Sequence, residues 1–411
     1  MQSSQLLSVC DFDPGAIRFN LDNGVLNHNY DSDFALFALW KDARPFEDEI
    51  CAYLMQNFDI VSDLEIVWTE RNFLWNACRL YETPVSAFPQ TSYNRRGHTK
   101  KIGAPSFRLI VVRDPAPAYK YVASVSGDIE PSNQNVVRAK SFLRSKVNAK
   151  YRVHSSNNLM EFFHQASLLL GNQRLTSIAN GERLTEKKIE KDLEGADGWN
   201  NWSELIQVLN WSTPYLVLRN FDFLPERIDD IDIDFLCDNF QRLASTLGMF
   251  QLTEKNKPYK GKIKVGGQIV PTDIRFVGDG YFDQTWQQTV LSKRVRINGV
   301  YVPREDDHFF TLLHHALVHK DNVKPEYRKR LAKLATSAAV SASSDVDFED
   351  PKNLLALLSG YMRGQRYVHE MALDNRVGAN PGNVSGLPAT HLPTRPSRLR
   401  RLALKIKKRL K

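Results

Sequence analysis

The chain has 411 residues, of which 42% are hydrophobic and 25% charged, a composition typical of a globular protein with two or three domains. No apolar run reaches the roughly 18 residues of a membrane-spanning helix, the first residues lack a signal-peptide pattern, and the four scattered cysteines form no CxxC pair, which favours a reducing cytoplasm. The net charge of +8 is concentrated in the last 17 residues, which hold nine Lys or Arg and no acid; subtracting nine leaves −1 for the other 394 residues, so a nucleic-acid partner is not favoured.

The first part of the chain carries mixed helix and strand signals. Residues 1–30 are an extension with little pattern, and residues 31–171 predict an α/β domain. In this domain FALFALWKDARPFEDEICAYLMQNF predicts one or two helices, whereas DLEIVW and SFRLIVVRD predict strands. NLMEFFHQASLLLG predicts a helix that stops at Gly171.

A polar loop, PQTSYNRRGHTKKIGAPS, lies within this domain and suits either an anionic substrate or a solvated surface. Its cationic or titratable side chains are Arg95, Arg96, His98, Lys100 and Lys101.

The stretch RVHSSNNLMEFF has two interpretations. Ser and Asn side chains before a helix satisfy its free N–H groups, and this helix-capping role is the one we favour. The stretch also resembles the HGSDS segment of nucleoside diphosphate kinases, although Ser155 and Asn157 replace the Gly and Asp of that motif. This resemblance implies that His154 accepts a phosphate and that Arg138 contacts it.

Residues 172–210 are highly charged and predict an exposed helical connector, after which residues 211–375 predict a second domain. TPYLVLRNF and DDIDIDFL predict strands, and DNFQRLASTLGMF predicts a helix. KGKIKVGGQIVPTDIRFV predicts a hairpin that turns at Gly266 and Gly267, and the segments from REDDHFF onward predict helices. The fold class expected for the whole chain is therefore α+β.

The second of these strands carries closely spaced aspartates. On a strand with a two-residue period, Ile231, Ile233 and Phe235 would face the core, and Asp230, Asp232 and Asp234 would share the other face. Hard carboxylate oxygens placed in this way suit Mg²⁺. Asp230 with Asp232 would serve nearly as well as Asp232 with Asp234, and a merely solvated acidic face is the alternative.

A third carboxylate lies on the later strand IVPTDIRFV. Asp273 shares a strand face there with Pro271 and Arg275. If this strand lies beside the acidic strand, three carboxylates converge, which is the arrangement that lets two metal ions hold a transferring phosphoryl group.

These residues resemble the nucleotidyltransferase superfamily that includes DNA polymerase β. Over about residues 211–320 the chain is also similar to bacterial nucleotidyltransferase-like proteins of surface-polysaccharide loci, through YLVLRNFDFLPERIDDIDIDFL and YVPREDDHFFTLLHHALVHK. The resemblance implies that Asp232, Asp234 and Asp273 bind up to two Mg²⁺ ions. It also implies that Arg219, Asn220 and Arg275 bind the substrate, with the two arginines on the transferring phosphate.

The chain departs from the superfamily pattern at one place. Arg219 and Asn220 stand where the superfamily has a Gly-Ser or Gly-Gly pair, so the backbone does not approach a triphosphate in the same way. This departure keeps open a scaffold of the same fold that binds a nucleotide or glycan without catalysis.

Histidines recur in HFFTLLHHALVHK. His308, His315 and His319 lie near one helical face, and the last two have an HxxxH spacing. Position 316 is Ala, so the HExxH general base is absent and we expect a structural role rather than zinc binding.

The chain ends with a Gly/Pro-rich segment, 376–397, predicted to be a flexible linker, and a basic amphipathic helix, 398–411. We expect this helix to bind an anionic membrane surface at the inner face of the cell membrane, although nucleic acid, an acidic partner or a disordered tail are alternatives.

The function expected from the sequence is metal-dependent transfer of a nucleotidyl or phosphoryl group. The donor would be a nucleotide or nucleotide-sugar, and the acceptor would be a sugar or lipid-linked glycan in polysaccharide synthesis. A kinase-like transfer through His154 is a further alternative.

Overall fold

The structure is a computed structural model that describes residues 13–22, 25–30, 33–82, 102–123, 129–148, 151–228, 230–250, 259–320, 322–337, 346–374 and 377–389. These residues form helices together with several mixed or antiparallel sheets, which confirms the α+β class. None of the described helices is both long enough and apolar enough to cross a bilayer.

The strands are short to medium in length. They are β1 Phe19–Asp22, β2 Val25–His28, β3 Asp33–Leu39, β4 Asp59–Val67, β5 Ser106–Asp114, β6 Tyr119–Ala123, β7 Ile129–Asn133, β8 Val153–Ser155, β9 Lys188–Glu190, β10 Tyr215–Val217, β11 Ile233–Cys237, β12 Lys260–Val265, β13 Gln268–Phe276, β14 Val295–Ile297 and β15 Val300–Val302.

The α-helices are α1 Glu47–Asn57, α2 Phe73–Leu80, α3 Gln134–Lys146, α4 Leu159–Ala179, α5 Trp202–Ser212, α6 Phe240–Leu247, α7 Gln284–Ser292, α8 Glu305–Val318, α9 Pro325–Ser337, α10 Pro351–Gln365 and α11 Pro381–Val384. Two short 3-10 helices cover Pro14–Ala16 and Lys41–Phe46.

The chain divides into two compact units. The first comprises Met1–Val277 and Gln288–Arg304, and the second comprises Gly278–Gln287 and Glu305–Lys411. The sequence predicts a boundary near Trp211, because the charged segment before it resembles a connector. In the structure both sides of that segment belong to the first unit.

A five-stranded sheet with the order β8-β3-β5-β4-β9 forms the centre of the N-terminal half. One of its faces packs on α1 and α3 through a cluster that includes Phe37, Leu54, Val112 and Leu143. Phe34, which points away from that cluster, stacks on Phe162 of α4 with 5.5 Å between ring centroids. The sheet is therefore covered by helices on both faces.

The predicted helix over FALFALW is wrong, because all of these residues but Trp40 belong to β3. Every residue from Asp33 to Leu39 is buried, since β3 pairs with β5 on one side and β8 on the other. A strand buried on both faces has a continuous apolar run, and such a run has no period that separates it from a helix.

The predicted helical connector over 172–210 is also wrong in its middle. Residues Lys188–Glu190 form β9, which pairs in parallel with β4. Ile189 is buried while Lys188 and Glu190 are exposed, so a single apolar residue anchors this edge strand. One apolar position is too short a pattern to reveal a strand.

The second sheet, ordered β10-β11-β13-β12, holds the acidic strand. The predicted hairpin is confirmed: β12 and β13 are antiparallel and join at Gly266 and Gly267, both with positive φ. β11 and β13 can pair in parallel because α6 and β12 lie between them in the chain. These two elements carry the chain back, so that β13 runs in the same direction as β11.

The described part of the second unit is helical. Part of the predicted flexible linker packs here: Leu387 is buried, and the Asn380 N–H donates to the Val318 carbonyl at 2.7 Å. The Asn380 side chain also caps the short helix α11, which explains how a Gly/Pro-rich segment acquires a fixed structure. The basic tail 398–411 lies outside the described residues.

Candidate functional site

Carboxylates from two separate parts of the chain meet on the second sheet. The register of β11 and β13 places Asp234 directly beside Asp273. Residues paired across adjacent strands project from the same face, so both carboxylates point to one side of the sheet. The predicted adjacency of the two strands is present, and the three-carboxylate metal site itself stays a prediction.

The acidic segment is only partly a strand. Ile233 and Phe235 are buried as expected, but Ile231 is 82% exposed. The reason is that β11 begins only at Ile233, where its pairing with β13 begins. Asp230 and Asp232 therefore lie in the preceding loop, and the strict alternation predicted for them is wrong.

Three cations neutralise much of this acidic cluster. Arg219 donates from Nε and Nη2 to Asp234 Oδ2 at 3.1 and 2.6 Å. Asp273 Oδ2 accepts from Arg275 Nη2 at 2.8 Å and lies 3.0 Å from Lys260 Nζ. The two predicted arginines are thus placed beside the carboxylates, whereas Lys260 was not predicted.

Asn220 belongs to the same group of residues. Its backbone has φ +59°, a left-handed conformation that Asn tolerates better than most residues. Its amide donates to Asp230 Oδ2 at 2.7 Å. Arg219 and Asn220 therefore contact the acidic segment at two points, Asp234 on β11 and Asp230 in the loop before it.

The electrostatics leave acceptor capacity for a cation. Asp230, Asp232, Asp234 and Asp273 carry four formal negative charges against the three positive charges of Arg219, Arg275 and Lys260. Partial burial, together with the nearby Asp234 and Asp230, raises the pKa of Asp232. A buried oxygen, Asp273 Oδ1, has no hydrogen-bond partner among the described residues.

The carboxylate oxygens of this cluster show how well it fits a metal ion. Asp232 and Asp273 offer hard carboxylate oxygens of the kind that Mg²⁺ prefers. Within the described ranges, however, no group of three or more His, Cys, Asp or Glu side chains is arranged to hold a metal. The donors fit Mg²⁺ in their chemistry, and a closed three-carboxylate site would require Arg219 to leave Asp234.

His154 lies on β8 and is buried. It is 9% exposed, its Nε2 is 3.0 Å from Gln165 Oε1, and its ring meets Tyr81 edge to face at 4.8 Å. The residues after it form a helix cap, since the Asn158 side chain accepts from the Glu161 N–H. The helix-capping interpretation is confirmed, and phosphate transfer by His154 stays a prediction.

Arg138 is exposed on α3, and its guanidinium donates to Asn135 Oδ1 of the preceding turn. No contact between Arg138 and His154 is found in the described residues. The two residues that the kinase resemblance implied are therefore not joined by a direct contact.

His315 on α8 and His319, just after its last residue, both contact Tyr281. His315 Nδ1 meets the Tyr281 hydroxyl, and His319 Nε2 is 2.9 Å from the Tyr281 carbonyl oxygen. His319 also stacks on the Tyr281 ring with a centroid distance of 4.1 Å. These contacts agree with the structural role predicted for His315 and His319.

Two further predictions fall on residues outside the described ranges. They are the cationic loop with Arg95, Arg96, His98, Lys100 and Lys101, and the basic tail.

Comparison of the chain with known protein families, curated proteins and solved structures gave no match.

Proposed function

We propose that the protein is a metal-dependent transferase that moves a nucleotidyl or phosphoryl-bearing group onto a hydroxyl of a sugar or glycan. The observation that carries this proposal is the pairing of Asp234 with Asp273 on neighbouring parallel strands, with Asp232 close enough to add to their mutual repulsion. Two strands that bring carboxylates together on one face of a sheet support a site for a divalent cation.

Each residue has a role that follows from its position. Asp232, Asp234 and Asp273 would hold Mg²⁺, which supplies Lewis-acid stabilisation of phosphate oxygens when bound. Asp273 would take the proton of the acceptor hydroxyl as the hydroxyl oxygen bonds to phosphorus and the bond to the leaving group breaks. The leaving group is pyrophosphate when a nucleotidyl group is transferred from a nucleoside triphosphate, and a nucleoside diphosphate when the terminal phosphoryl group is transferred. Arg219, Arg275 and Lys260 would stabilise the charge on the transferred group.

The acceptor and the location complete the proposal. A lipid-linked glycan at a membrane surface would bring its acceptor hydroxyl to a protein whose basic tail binds anionic lipid. The support for this part is the sequence of the tail, which concentrates nine cations in 17 residues.

The test is Mn²⁺ or Mg²⁺ binding by calorimetry in the presence of nucleoside triphosphate, together with assay of metal-dependent pyrophosphate release. We expect Asp232→Asn and Asp273→Asn to weaken metal binding at least tenfold, a loss of about 1.4 kcal/mol, and to abolish turnover. Asp59→Asn is the matched control, because Asp59 also pairs with an arginine but lies on the other sheet. Wild-type metal binding in both site variants would reject the proposal.

A non-catalytic scaffold is the second candidate. It is favoured by the ion pairs that already occupy Asp234 and Asp273. A scaffold would bind nucleotide or glycan without metal-dependent turnover. Arg219→Ala separates the two candidates: it frees Asp234, so a transferase should bind metal more tightly in the absence of nucleotide, whereas a scaffold should gain no metal affinity.

A further inference from the structure

Charged side chains from three elements meet beside the start of helix α4 in the first unit. Lys140 and Arg144 lie one turn apart on α3, Glu130 lies on β7 and Glu161 lies in the first turn of α4. All four residues are half-buried, which leaves them within reach of a small ligand. None of them belongs to the carboxylate site described above.

Asn157 links the members of this group. Its side-chain oxygen accepts from Lys140 Nζ at 2.7 Å, and its side-chain amide donates to Glu130 Oε1 at 3.2 Å. Its backbone N–H donates to Glu161 Oε2 at 2.6 Å, while Gln165 Nε2 donates to Glu161 Oε1 at 3.0 Å. The Lys140 amine and the Glu161 carboxyl group are therefore fixed on two sides of one asparagine.

The two cations of α3 have only neutral hydrogen-bond partners. Lys140 donates to the Asn157 amide oxygen, and Arg144 Nε donates to the Val153 carbonyl oxygen at 2.9 Å. Among the residues that the structure describes, neither cation forms an ion pair. A half-buried cation in such surroundings favours either loss of its proton or an added counter-charge. A guanidinium keeps its proton in proteins whereas a lysine loses it readily, so Arg144 favours an anion and Lys140 favours the neutral amine.

The protonation of this group agrees with that expectation. Burial lowers the pKa of Lys140 to about 8, although Glu161 nearby acts to raise it. Arg144 adds to the lowering, and Glu130 adds to the opposing effect. Burial also raises the pKa of Glu161 to about 7. At pH 7.5 such an amine is neutral in roughly a quarter of the molecules, about 200 times the fraction of an exposed lysine.

The surroundings of the two cations differ, and this difference selects the ligand. Two carboxyl groups lie near the Lys140 amine, so an anionic group is disfavoured there. The titratable side chains that act on Arg144 are instead Tyr81 and Tyr151. Side chains four residues apart on a helix are neighbours, with about 5–6 Å between their Cβ atoms, so one small molecule spans both. A fitting ligand therefore has an uncharged electrophilic carbon next to a negative group.

We propose that Lys140 is a nucleophile that forms an imine with a small 2-oxo acid, whose carboxylate binds Arg144. The amine nitrogen bonds to the carbonyl carbon, and the carbonyl oxygen leaves as water with the two protons of the amine. Glu161 transfers these protons from nitrogen to oxygen, and the step requires no oxidant or reductant. This site shares no residue with the proposed transferase site and does not depend on it.

Reductive trapping with pyruvate tests this site in the full-length chain. Cyanoborohydride converts an imine into a stable secondary amine, and peptide mass spectrometry then compares individual lysines. At pH 7.5 we expect Lys140 to be modified at least about tenfold faster than Lys120, an exposed lysine on β6. The ratio of the two rates should fall as the pH rises from about 8 to about 10, because Lys120 then also loses its proton.

A probe without a carboxylate isolates the role of Arg144. With acetaldehyde in place of pyruvate, the Lys140-to-Lys120 ratio should be smaller, because the guanidinium has no anion to bind. Arg144→Gln should remove the preference for pyruvate over acetaldehyde, with thermal unfolding as a check of folding.

Glu161→Gln separates proton transfer from the effect of charge. Glutamine accepts the same hydrogen bond from the Asn157 N–H but carries no transferable carboxyl proton. Loss of the negative charge alone leaves more of the Lys140 amine neutral and would speed imine formation. Loss of proton transfer should instead slow it about tenfold or more. Faster imine formation in this variant would overturn the role assigned to Glu161.

Two results for the wild type would overturn the proposal, whether or not the variants fold. One is equal modification of Lys140 and Lys120 at pH 7.5, and the other is an equal Lys140-to-Lys120 ratio with pyruvate and acetaldehyde. Fast and pyruvate-selective trapping at Lys140 would support this site even if no metal-dependent transfer is observed.

Discussion

At the scale of single residues, the first unit contains a buried acid and a buried histidine that face each other. Asp33 is 1% exposed, its Oδ2 accepts from Tyr119 Oη and Asn133 Nδ2, and its Oδ1 lies 3.7 Å from His28 Nε2. Burial raises the pKa of Asp33 to about 7 and lowers the pKa of His28 to about 4. In the folded protein near pH 5.5, the proton therefore resides on the acid.

These opposite shifts predict opposite pH dependences for two single variants. Near pH 5.5 the unfolded pair also holds one proton, on His28, so in the wild type the pair adds little slope. In Asp33→Asn only His28 remains, the unfolded state binds the extra proton, and stability should fall as pH drops from about 6.5 to about 4. In His28→Asn the folded state binds the extra proton on Asp33, and stability should fall as pH rises from about 4 to about 7.

The measurement is chemical denaturation of both variants and the wild type across that pH range. The slope of each variant relative to the wild type can reach about 1.4 kcal/mol per pH unit. Subtraction of the wild-type curve removes the titration of all other groups. Relative slopes of the same sign in the two variants would contradict the assignment of the proton to Asp33.

At the scale of elements, helix α4 contains a kink with a specific chemical requirement. Gly171 has φ +74° and ψ 172° within it, a region that only glycine visits readily. A Cβ there would lie 2.6 Å from Glu194 Oε1, and Glu194 is itself buried. The predicted helix stop at Gly171 is thus present as a kink, after which the chain continues as helix to Ala179.

Gly171→Ala should lower the free energy of unfolding by roughly 2–4 kcal/mol, since it adds both backbone strain and a clash. Gly181→Ala is the control, because Gly181 also has positive φ but a Cβ added there would meet nothing within 4 Å. The control should cost roughly 1 kcal/mol, from strain alone. Equal losses in urea denaturation would show that Glu194 moves aside without cost.

The elements also show which features of this chain its sequence could reveal. SFRLIVVRD and the Gly266–Gly267 hairpin are predictable because length, branched residues and turn glycines all agree there. Strand β3 escapes prediction because burial on both faces removes the period. The carboxylates of β11 and β13 could be proposed as neighbours, but the Lys260–Asp273 pair depends on strand register, which no local pattern of residue types specifies.

At the scale of the whole molecule, charge is distributed very unevenly along the sequence. The last 17 residues carry nine cations, while the other 394 sum to −1. A nearly neutral body has little electrostatic attraction of its own to an anionic surface, whereas each cation near such a surface contributes about 1 kcal/mol at low salt. Any binding of the chain to anionic vesicles should therefore depend on the tail.

Removal of residues 395–411 is the corresponding experiment. We expect the full chain to sediment with vesicles containing phosphatidylglycerol and the truncated chain to remain in the supernatant, because its net charge falls from +8 to −1.

Two control variants separate charge from the apolar stripe: Leu402→Ser with Ile406→Ser keeps every cation, and Lys407→Gln with Lys408→Gln keeps every leucine and isoleucine. If the cations and the apolar stripe both contribute, each double variant should bind the vesicles more weakly than the full chain. Only the variant with Lys407→Gln and Lys408→Gln should bind with a smaller dependence on salt concentration. Equal sedimentation of the full and truncated chains would place the membrane contact elsewhere or exclude it, and the lipid-linked acceptor of the proposed reaction would lose its support.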